Sequence, residues 1–154
     1  MVKKSITKRW LLNNLGVVLM ILLVIEMTLI YTIQNYYYNS AKQYLVSKIN
    51  SVKSILSLYA VDESVNFSSE IRNMLENFSE KDRMELMAIN SKGRIVMTSS
   101  GFTPDSVSQM EDYDQVMETG EHYGYYVGKQ GGREKIMAVT CSIEDMSAEY
   151  SAVR

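Results

Sequence analysis

The sequence predicts an α+β fold, in which a long N-terminal helix is followed by a small antiparallel sheet with short helices between its strands. Residues 11–33 form an uninterrupted, almost wholly apolar run. Apolar residues then recur at spacings of three and four as far as Ala60, which is the period of an amphipathic helix. From residue 84 onward, short runs of strand-forming residues are separated by turns that contain Gly and Ser, as expected for antiparallel strands.

The apolar run is long enough to cross a membrane. Its 23 residues include no Lys, Arg, Asp or Pro, and as a helix they cover roughly 35 Å, against a hydrocarbon core of about 30 Å. A cleaved signal peptide is the alternative, but the run is longer than a signal h-region and no clear small-x-small cleavage site follows it. Residues 11–33 are therefore predicted to form a transmembrane helix.

The basic residues predict the orientation of this helix. Four precede it, namely Lys3, Lys4, Lys8 and Arg9, and the next one along the chain is Lys42. Because cytoplasmic flanks carry the excess of Lys and Arg, residues 1–10 are expected to be a cytoplasmic tail and residues 34–154 an extracellular domain. The expected localisation is the cell membrane, with one span and the lipid bilayer as a partner.

Two polar residues within the predicted span suggest that it pairs with a second copy. Glu26 is costly in lipid unless it is paired or protonated, and Asn13 could hydrogen-bond between helices. We therefore expect a homodimer through the span and the helix that follows it. The alternative for Glu26 is that its side chain reaches toward the membrane interface.

The composition of residues 34–154 allows one small domain and excludes some partners. This part holds 12 basic and 17 acidic residues, a net charge of −5, so nucleic-acid binding is disfavoured. The single cysteine, Cys141, cannot form an internal disulfide and is expected to be a small buried side chain in a strand; the alternative is a disulfide to a dimer partner.

The local patterns predict the following elements. A helix continues from the span to Ala60 and presents an apolar stripe comprising Tyr38, Ala41, Leu45, Ile49, Val52, Ile55, Leu56 and Tyr59. After a loop at residues 62–64, a short helix with Ser68 as N-cap covers residues 69–78, and a second short helix opens with the capping box of Asp112 and Gln115 and ends near Gly120. Strands are expected at residues 84–90, 94–99, 123–127 and 135–143, joined by turns at residues 91–93 and 128–132, and a fifth begins at residues 149–154. Residues 100–110 are expected to be a loop.

Catalytic and metal chemistry find little support in the sequence. His122 is the only histidine, so a Ser-His-Asp triad or a Cys-His dyad would depend on it. For this residue we favour a structural or surface role. Metal sites need several ligands at short spacing, and the chain offers one His and one Cys. We therefore expect no enzyme activity, no metal and no cofactor within these residues.

Two features suggest a binding site. An acidic run could bridge cations or attract a basic peptide, although a solvated helix face is the favoured interpretation; it comprises Glu111, Asp112, Asp114, Glu118 and Glu121. A group of tyrosines could line a small-molecule pocket against the sheet, or could simply belong to the core and surface of the hairpin. The residues predicted to bind a ligand are Arg94, Ser99, Tyr113, Tyr123, Tyr125 and Thr140.

Taken in order, several segments resemble a known family. They are the basic N-terminus, the span, the long helix, AINSKGRIVMTSS, DYDQVMETGEHYGYYVG and EKIMAVTCSI. Together they resemble the extracytoplasmic sensor region of Gram-positive sensor histidine kinases, a single Cache (PDC, PAS-like) domain. The resemblance implies a sheet ordered 2-1-5-4-3 on the long helix, a dimer, and a ligand held between the sheet and residues 99–125.

The expected function is a membrane-anchored extracellular signal-sensing domain of a two-component system, whose ligand is an unknown small molecule, peptide or cation. The sequence contains no second span, phosphoacceptor motif or nucleotide-binding motif, so it matches only the input end of a kinase. On this interpretation the fifth strand is incomplete at Arg154. The alternatives are the sensor of a chemoreceptor or cyclic-dinucleotide enzyme, and a single-pass surface tether.

Overall fold

The computed structural model describes residues 3–61, 66–101, 110–130 and 134–154. The helices are α1 (Lys3–Val61), α2 (Phe67–Glu76) and α3 (Glu111–Thr119). The strands are β1 (Met87–Asn90), β2 (Ile95–Thr98), β3 (Gly124–Gln130), β4 (Glu134–Ser142) and β5 (Tyr150–Val153). The chain divides within α1 into two compact units, one ending at Ala41 and the other starting at Lys42.

The first unit is the N-terminal part of α1, and it carries a candidate membrane span. Its large apolar side chains between Trp10 and Ile33 are all at least half exposed, as a helix that packs against lipid requires. The hydroxyls of Thr28 and Thr32 donate hydrogen bonds to the carbonyl four residues earlier, at 2.7 and 2.8 Å. These polar groups are therefore satisfied within the helix itself.

The second unit is built on a five-stranded antiparallel sheet with the order β2-β1-β5-β4-β3. This is the order that the sequence resemblance implied. The last strand in the chain, β5, is central: Val153 pairs with Ala88 of β1 on one side and with Cys141 of β4 on the other. The fold is therefore an open α+β sheet, as predicted.

Alternating residues of the strands divide the core into two layers. On one face, Ala88, Val139 and Cys141 pack against apolar residues of α1 and α2. On the other face, Ile89 and Ala152 pack against Met110 and the first turns of α3. Because side chains of a strand point alternately to opposite faces, we refer to these as the α1 face and the α3 face of the sheet.

Only part of the predicted stripe on α1 enters the core. Ile49, Val52 and Leu56 are at most 7% exposed and belong to the layer on the α1 face, whereas Ile55 is 44% exposed. The predicted apolar stripe was therefore broader than the face that is buried. The buried residues recur at spacings of three and four, so they lie on one narrow face of α1, which the sheet covers.

A small polar network joins α1 to the turn after α2. The Glu80 carboxylate accepts hydrogen bonds from the Lys48 ammonium and the Tyr44 hydroxyl. The bond from Lys48, followed by that from Tyr44, holds the pKa of Glu80 below its usual value. The network lies at the surface, where such pairs add little stability.

Several predicted boundaries need correction. The N-cap of α2 is Asn66, whose side chain accepts a hydrogen bond from the Ser69 N–H at 3.2 Å, and not Ser68. Strand β1 begins at Met87, three residues later than predicted, and β3 continues to Gln130, through part of the predicted turn. The predicted loop at residues 62–64, residues 102–109 of the loop before α3 and residues 131–133 of the hairpin turn lie outside the described residues.

Candidate functional site: a buried polar cluster beneath α3

The backbone of α3 lies unusually close to strand β3, and a glycine makes this possible. A Cβ atom at Gly124 would stand 1.8 Å from the carbonyl oxygen of Asp112 and 3.0 Å from a methyl group of Val116. A side chain at this position is therefore incompatible with the observed distance between helix and strand. At its other end, α3 stops at Gly120 in the left-handed conformation (φ 66°), as predicted.

Asp112 does not have the capping role that its sequence context predicts. Helix α3 begins at Glu111, its N-cap is Met110, and that residue makes no side-chain capping bond. Asp112 instead lies within the first turn and is fully buried. It lies four residues before the buried Val116, so both side chains share the helix face that packs on the sheet.

The Asp112 carboxylate is held by one donor from strand β4 and by another from the residue that follows β5. Its Oδ2 atom accepts a hydrogen bond of 2.6 Å from the Thr140 hydroxyl and one of 2.7 Å from Nε of Arg154. Thr140 is fully buried and Arg154 is 8% exposed. The three residues form a polar cluster on the α3 face of the sheet, which we call the Asp112 cluster.

Pairing within the sheet positions Arg154. Its backbone N–H donates to the carbonyl of Met87 at 2.9 Å, and its carbonyl accepts from the N–H of Met87 at 2.8 Å. Val153 belongs to the core on the α1 face, so alternation directs the next side chain to the α3 face. The guanidinium group thus reaches Asp112 from the central strand.

One oxygen of the Asp112 cluster has no partner. Within the described part of the chain, nothing donates a hydrogen bond to the buried Oδ1 atom of Asp112. An unsatisfied buried acceptor costs about 1–3 kcal/mol, and more when it is charged. This oxygen therefore marks a position where a bound donor, either a ligand group or an ordered water, would be stabilised.

A second polar group lies beside the cluster on the same face. The Tyr113 hydroxyl and the Ser151 Oγ atom are 3.2 Å apart, and Ser151 donates to the carbonyl of Asn90 at 2.7 Å. Ser151 is the extra residue of a β-bulge, since Tyr150 pairs with Asn90 and Ala152 with Ile89. The bulge allows two successive residues, Ser151 and Ala152, to face α3, which regular alternation would not allow.

The rest of the acidic run is solvated, as the favoured interpretation predicted. Apart from Asp112, its carboxylates are exposed on α3 or just after it, namely those of Glu111, Asp114, Glu118 and Glu121. The residues that the structure describes contain no group of three or more side chains suited to a metal ion. The acidic run therefore gives no geometric support to a cation site.

The structure brings together only some of the residues predicted to bind a ligand. Thr140 and Tyr113 lie together on the α3 face. Tyr125 lies on the opposite face, with the Lys42 ammonium 4.4 Å from its ring centre, so it does not share a pocket with them. Arg94 and Tyr123 are exposed. A ligand role for any of them stays a prediction.

Ser99 bonds to the backbone of Leu86 and so extends the sheet. It is buried, and its Oγ atom accepts a hydrogen bond of 3.0 Å from the N–H of Leu86 while its own N–H donates to the Leu86 carbonyl at 2.8 Å. These bonds extend the pairing of β1 and β2 beyond the regular strands. In the first unit, Asn13 and Glu26 are both exposed on α1, and their pairing between two copies stays a prediction.

Sequence reasoning missed Ser151 and Arg154 as members of the site, and it placed Asp112 in a capping box and a solvated acidic run, not in a buried cluster. The spacing between Asp112 and Val116 was the available signal, because it places a carboxylate on the apolar face of α3. No local signal reveals the bulge at Ser151 or the long-range pairing that positions Arg154.

Comparisons with protein-family models, curated proteins and solved structures gave no match.

Proposed function

We propose that the chain is a membrane-anchored extracellular sensor module of a signal-transducing protein, of the kind that feeds a two-component histidine kinase. The single observation that carries the proposal is the Asp112 cluster. It places a buried carboxylate with an unpartnered oxygen between a short helix and a sheet, where burial without a partner is unfavourable. Such a site gains stability when a donor binds.

The location of the cluster supports a sensing role. The other face of the same sheet is covered by residues of α1, the helix that also carries the candidate membrane span. Strand β4 and the end of β5 supply residues to both faces: Thr140 and Cys141 are neighbours on opposite sides, as are Val153 and Arg154, the residue after β5. A ligand that changes the packing of α3 would thereby shift the strands on which α1 rests.

The chemistry of the cluster narrows the ligand class. Oδ2 of Asp112 is already occupied by Thr140 and Arg154, so the ligand must donate a hydrogen bond to Oδ1. A small solute with an ammonium group provides this donor and a favourable charge. We therefore propose a small amine as the ligand, bound beneath α3 outside the cell.

The test measures thermal unfolding of the full chain in lipid nanodiscs with methylammonium, ethanolamine or putrescine. Asp112→Asn neutralises the acceptor, and Asp114→Asn on the exposed side of α3 is the matched control. We expect at least one amine to raise Tm by a few degrees in the native chain and in the control, since ligand at 100 times its Kd adds about 2.7 kcal/mol. The shift should be lost in Asp112→Asn.

An equal shift in Asp112→Asn would place amine binding elsewhere. The absence of any shift with all three amines would indicate that an ordered water satisfies Oδ1 and that the cluster is structural. Either result would overturn the proposed ligand site.

A further inference from the structure

Strands β3 and β4 form a long hairpin, and basic side chains gather on one of its faces. Tyr125 packs against the core on the α1 face, so alternation places Lys129, four residues further along β3, on the same face. Lys135 of β4 is the direct cross-strand partner of Lys129, and both lysines are exposed. Lys42 of α1 lies on this face too, with its ammonium group 4.4 Å from the centre of the Tyr125 ring. We call Lys42, Lys129 and Lys135 the basic face of the hairpin.

The two lysines of the hairpin face each other at short range. The Tyr125 N–H donates away from β4, to the side chain of Gln115 at 3.2 Å, so Tyr125 and Val139 form a pair that is not hydrogen-bonded. Such pairs recur at every second residue, so Lys129 and Lys135 form another, with Cβ atoms about 4.5–5.5 Å apart. Like charges directly opposite each other are unfavourable. An anionic group that contacts both ammonium groups would offset their repulsion.

The helices on the two sides of the hairpin carry opposite charges. Between Lys42 and Val61, α1 holds three lysines and no acidic residue, and one of the three, Lys48, pairs with Glu80. Helix α3, on the other side, holds four acidic residues and no basic one. Although residues 34–154 have a net charge of −5, an anionic surface would therefore attract the basic face and repel the side that carries α3.

The hairpin extends toward the end of the second unit that is joined to the candidate span. Burial raises the pKa of the Cys141 thiol, and the Lys53 ammonium group opposes this rise, so Lys53 lies near Cys141. Two residues earlier in β4, the paired residue of β3 is Tyr125, and the lysine of α1 beside it is Lys42. Following β4 from Cys141 toward the hairpin turn therefore leads toward the N-terminal end of this part of α1.

We propose that the basic face docks on the anionic phosphate headgroups of the membrane that α1 spans. The chain itself keeps this face close to a lipid surface: Lys42 is the ninth residue after Ile33, where the predicted span ends, and nine residues reach at most about 32 Å. Near an anionic leaflet, each lysine contributes roughly fivefold to the equilibrium constant for docking. This proposal rests on the membrane anchoring in the proposed function and is independent of the amine site.

The experiment measures how close the hairpin lies to lipid headgroups, by methyl NMR on the full chain in nanodiscs whose lipids include a few with a nitroxide on the headgroup. The reporter is the methyl group of Met137, which alternation places on the α1 face, two residues before Val139. The internal reference is Met117 of α3, which packs on the other face. We expect phosphatidylglycerol, compared with phosphatidylcholine alone, to increase nitroxide relaxation of Met137 and not of Met117. High salt should remove the increase, because it screens the lysines.

Charge-neutral variants identify the residues responsible. Replacing both lysines of the hairpin, by Lys129→Gln and Lys135→Gln, should lower the docking constant by roughly 25-fold and abolish the effect of phosphatidylglycerol on Met137. Lys92→Gln is the matched control, because Lys92 is an exposed lysine in the turn between β1 and β2, at the opposite end of the strand order. This variant should respond as the native chain does.

Equal relaxation of Met137 in the two kinds of nanodisc would overturn the proposal, as would a phosphatidylglycerol effect that survives in the double variant. An equal increase at Met117 would also overturn it, because the domain would then approach the membrane without using the basic face. These results would leave the anchoring intact, whereas a chain that does not enter nanodiscs would contradict the anchoring and the docking together.

Discussion

At the scale of single residues, Asp112 connects three elements that are distant in sequence. It contacts Thr140 of β4 and Arg154 after β5 from its position in α3. A buried ion pair of this kind adds little net stability, but removing one partner leaves the other charge buried and unpaired. Asp112 therefore fixes the position of α3 on the sheet, because any other position would leave Arg154 buried without its counter-charge.

We expect Asp112→Ala to destabilise the second unit by about 3–5 kcal/mol, because Arg154 loses its counter-charge in a buried position. Asp114→Ala, on the exposed side of the same helix, should change the free energy of unfolding by about 0.5 kcal/mol or less. Thermal unfolding of the full chain in nanodiscs measures both. Equal effects of the two substitutions would mean that the Asp112 cluster is not formed.

Cys141 provides a second test at this scale. It is fully buried in β4, as predicted from the sequence, and burial raises the pKa of its thiol to about 11. Since the folded-state pKa is raised, the neutral thiol contributes stability below the unfolded pKa of about 8.5, and that contribution is lost as the pH rises from there toward 11.

We therefore expect iodoacetamide at pH 8.5 to alkylate Cys141 at least about tenfold more slowly than an exposed cysteine, because the thiolate is the reactive form. The reference is Asp82→Cys in a Cys141→Ser background, since Asp82 is exposed. Equal rates for the two thiols would contradict the buried position of Cys141.

At the scale of secondary-structure elements, the contact of α3 with the sheet depends on Gly124. We expect Gly124→Ala to displace the helix and destabilise the second unit by about 1–3 kcal/mol or more, because the added Cβ would meet the backbone of Asp112 at 1.8 Å. Gly128→Ala in the same strand is the control. Its Cβ would meet only the end of the Tyr126 side chain, which can rotate away.

Thermal unfolding of the two glycine variants decides this point. A Tm for Gly124→Ala no lower than that for Gly128→Ala would show that α3 does not rest on β3 as described. The amine response proposed above should also weaken in Gly124→Ala, because the displaced helix carries Asp112.

The elements themselves were largely predictable, and their contacts were not. The hydrophobic period identified α1, a glycine identified the end of α3, and strand-forming residues on either side of a glycine-rich turn identified β3 and β4, because each of these signals is local. The capping prediction for Asp112 failed because a carboxylate at a helix start suits both a cap and a buried ion pair. Only the tertiary position of Arg154 decides between them, and that position depends on pairing between Met87 and Arg154 across the sheet.

For the whole molecule, the structure limits which residues of α1 are available for contact between two copies. Val52 and Leu56 belong to the core of the second unit, whereas Leu58 is 73% exposed on the same helix. If two copies associate along α1, as expected from the sequence, their contact must use exposed positions such as Leu58 and Ile55.

We expect oxidative crosslinking of Leu58→Cys between copies in membranes, in a Cys141→Ser background. Leu56→Cys should not crosslink, because its side chain is fully buried. Crosslinking of neither variant, or of both equally, would count against a dimer through this face of α1.

The main proposal to be tested is that α1 anchors the chain in a membrane and that the sheet, with the Asp112 cluster, lies outside the cell. A membrane-impermeant thiol reagent tests this directly on intact cells that carry Ile6→Cys or Asp82→Cys, each in a Cys141→Ser background. We predict that Asp82→Cys is modified on intact cells and stays in the membrane fraction, whereas Ile6→Cys is modified only after permeabilisation. Modification of Ile6→Cys but not Asp82→Cys on intact cells, or release of the labelled chain from the membrane, would contradict the account.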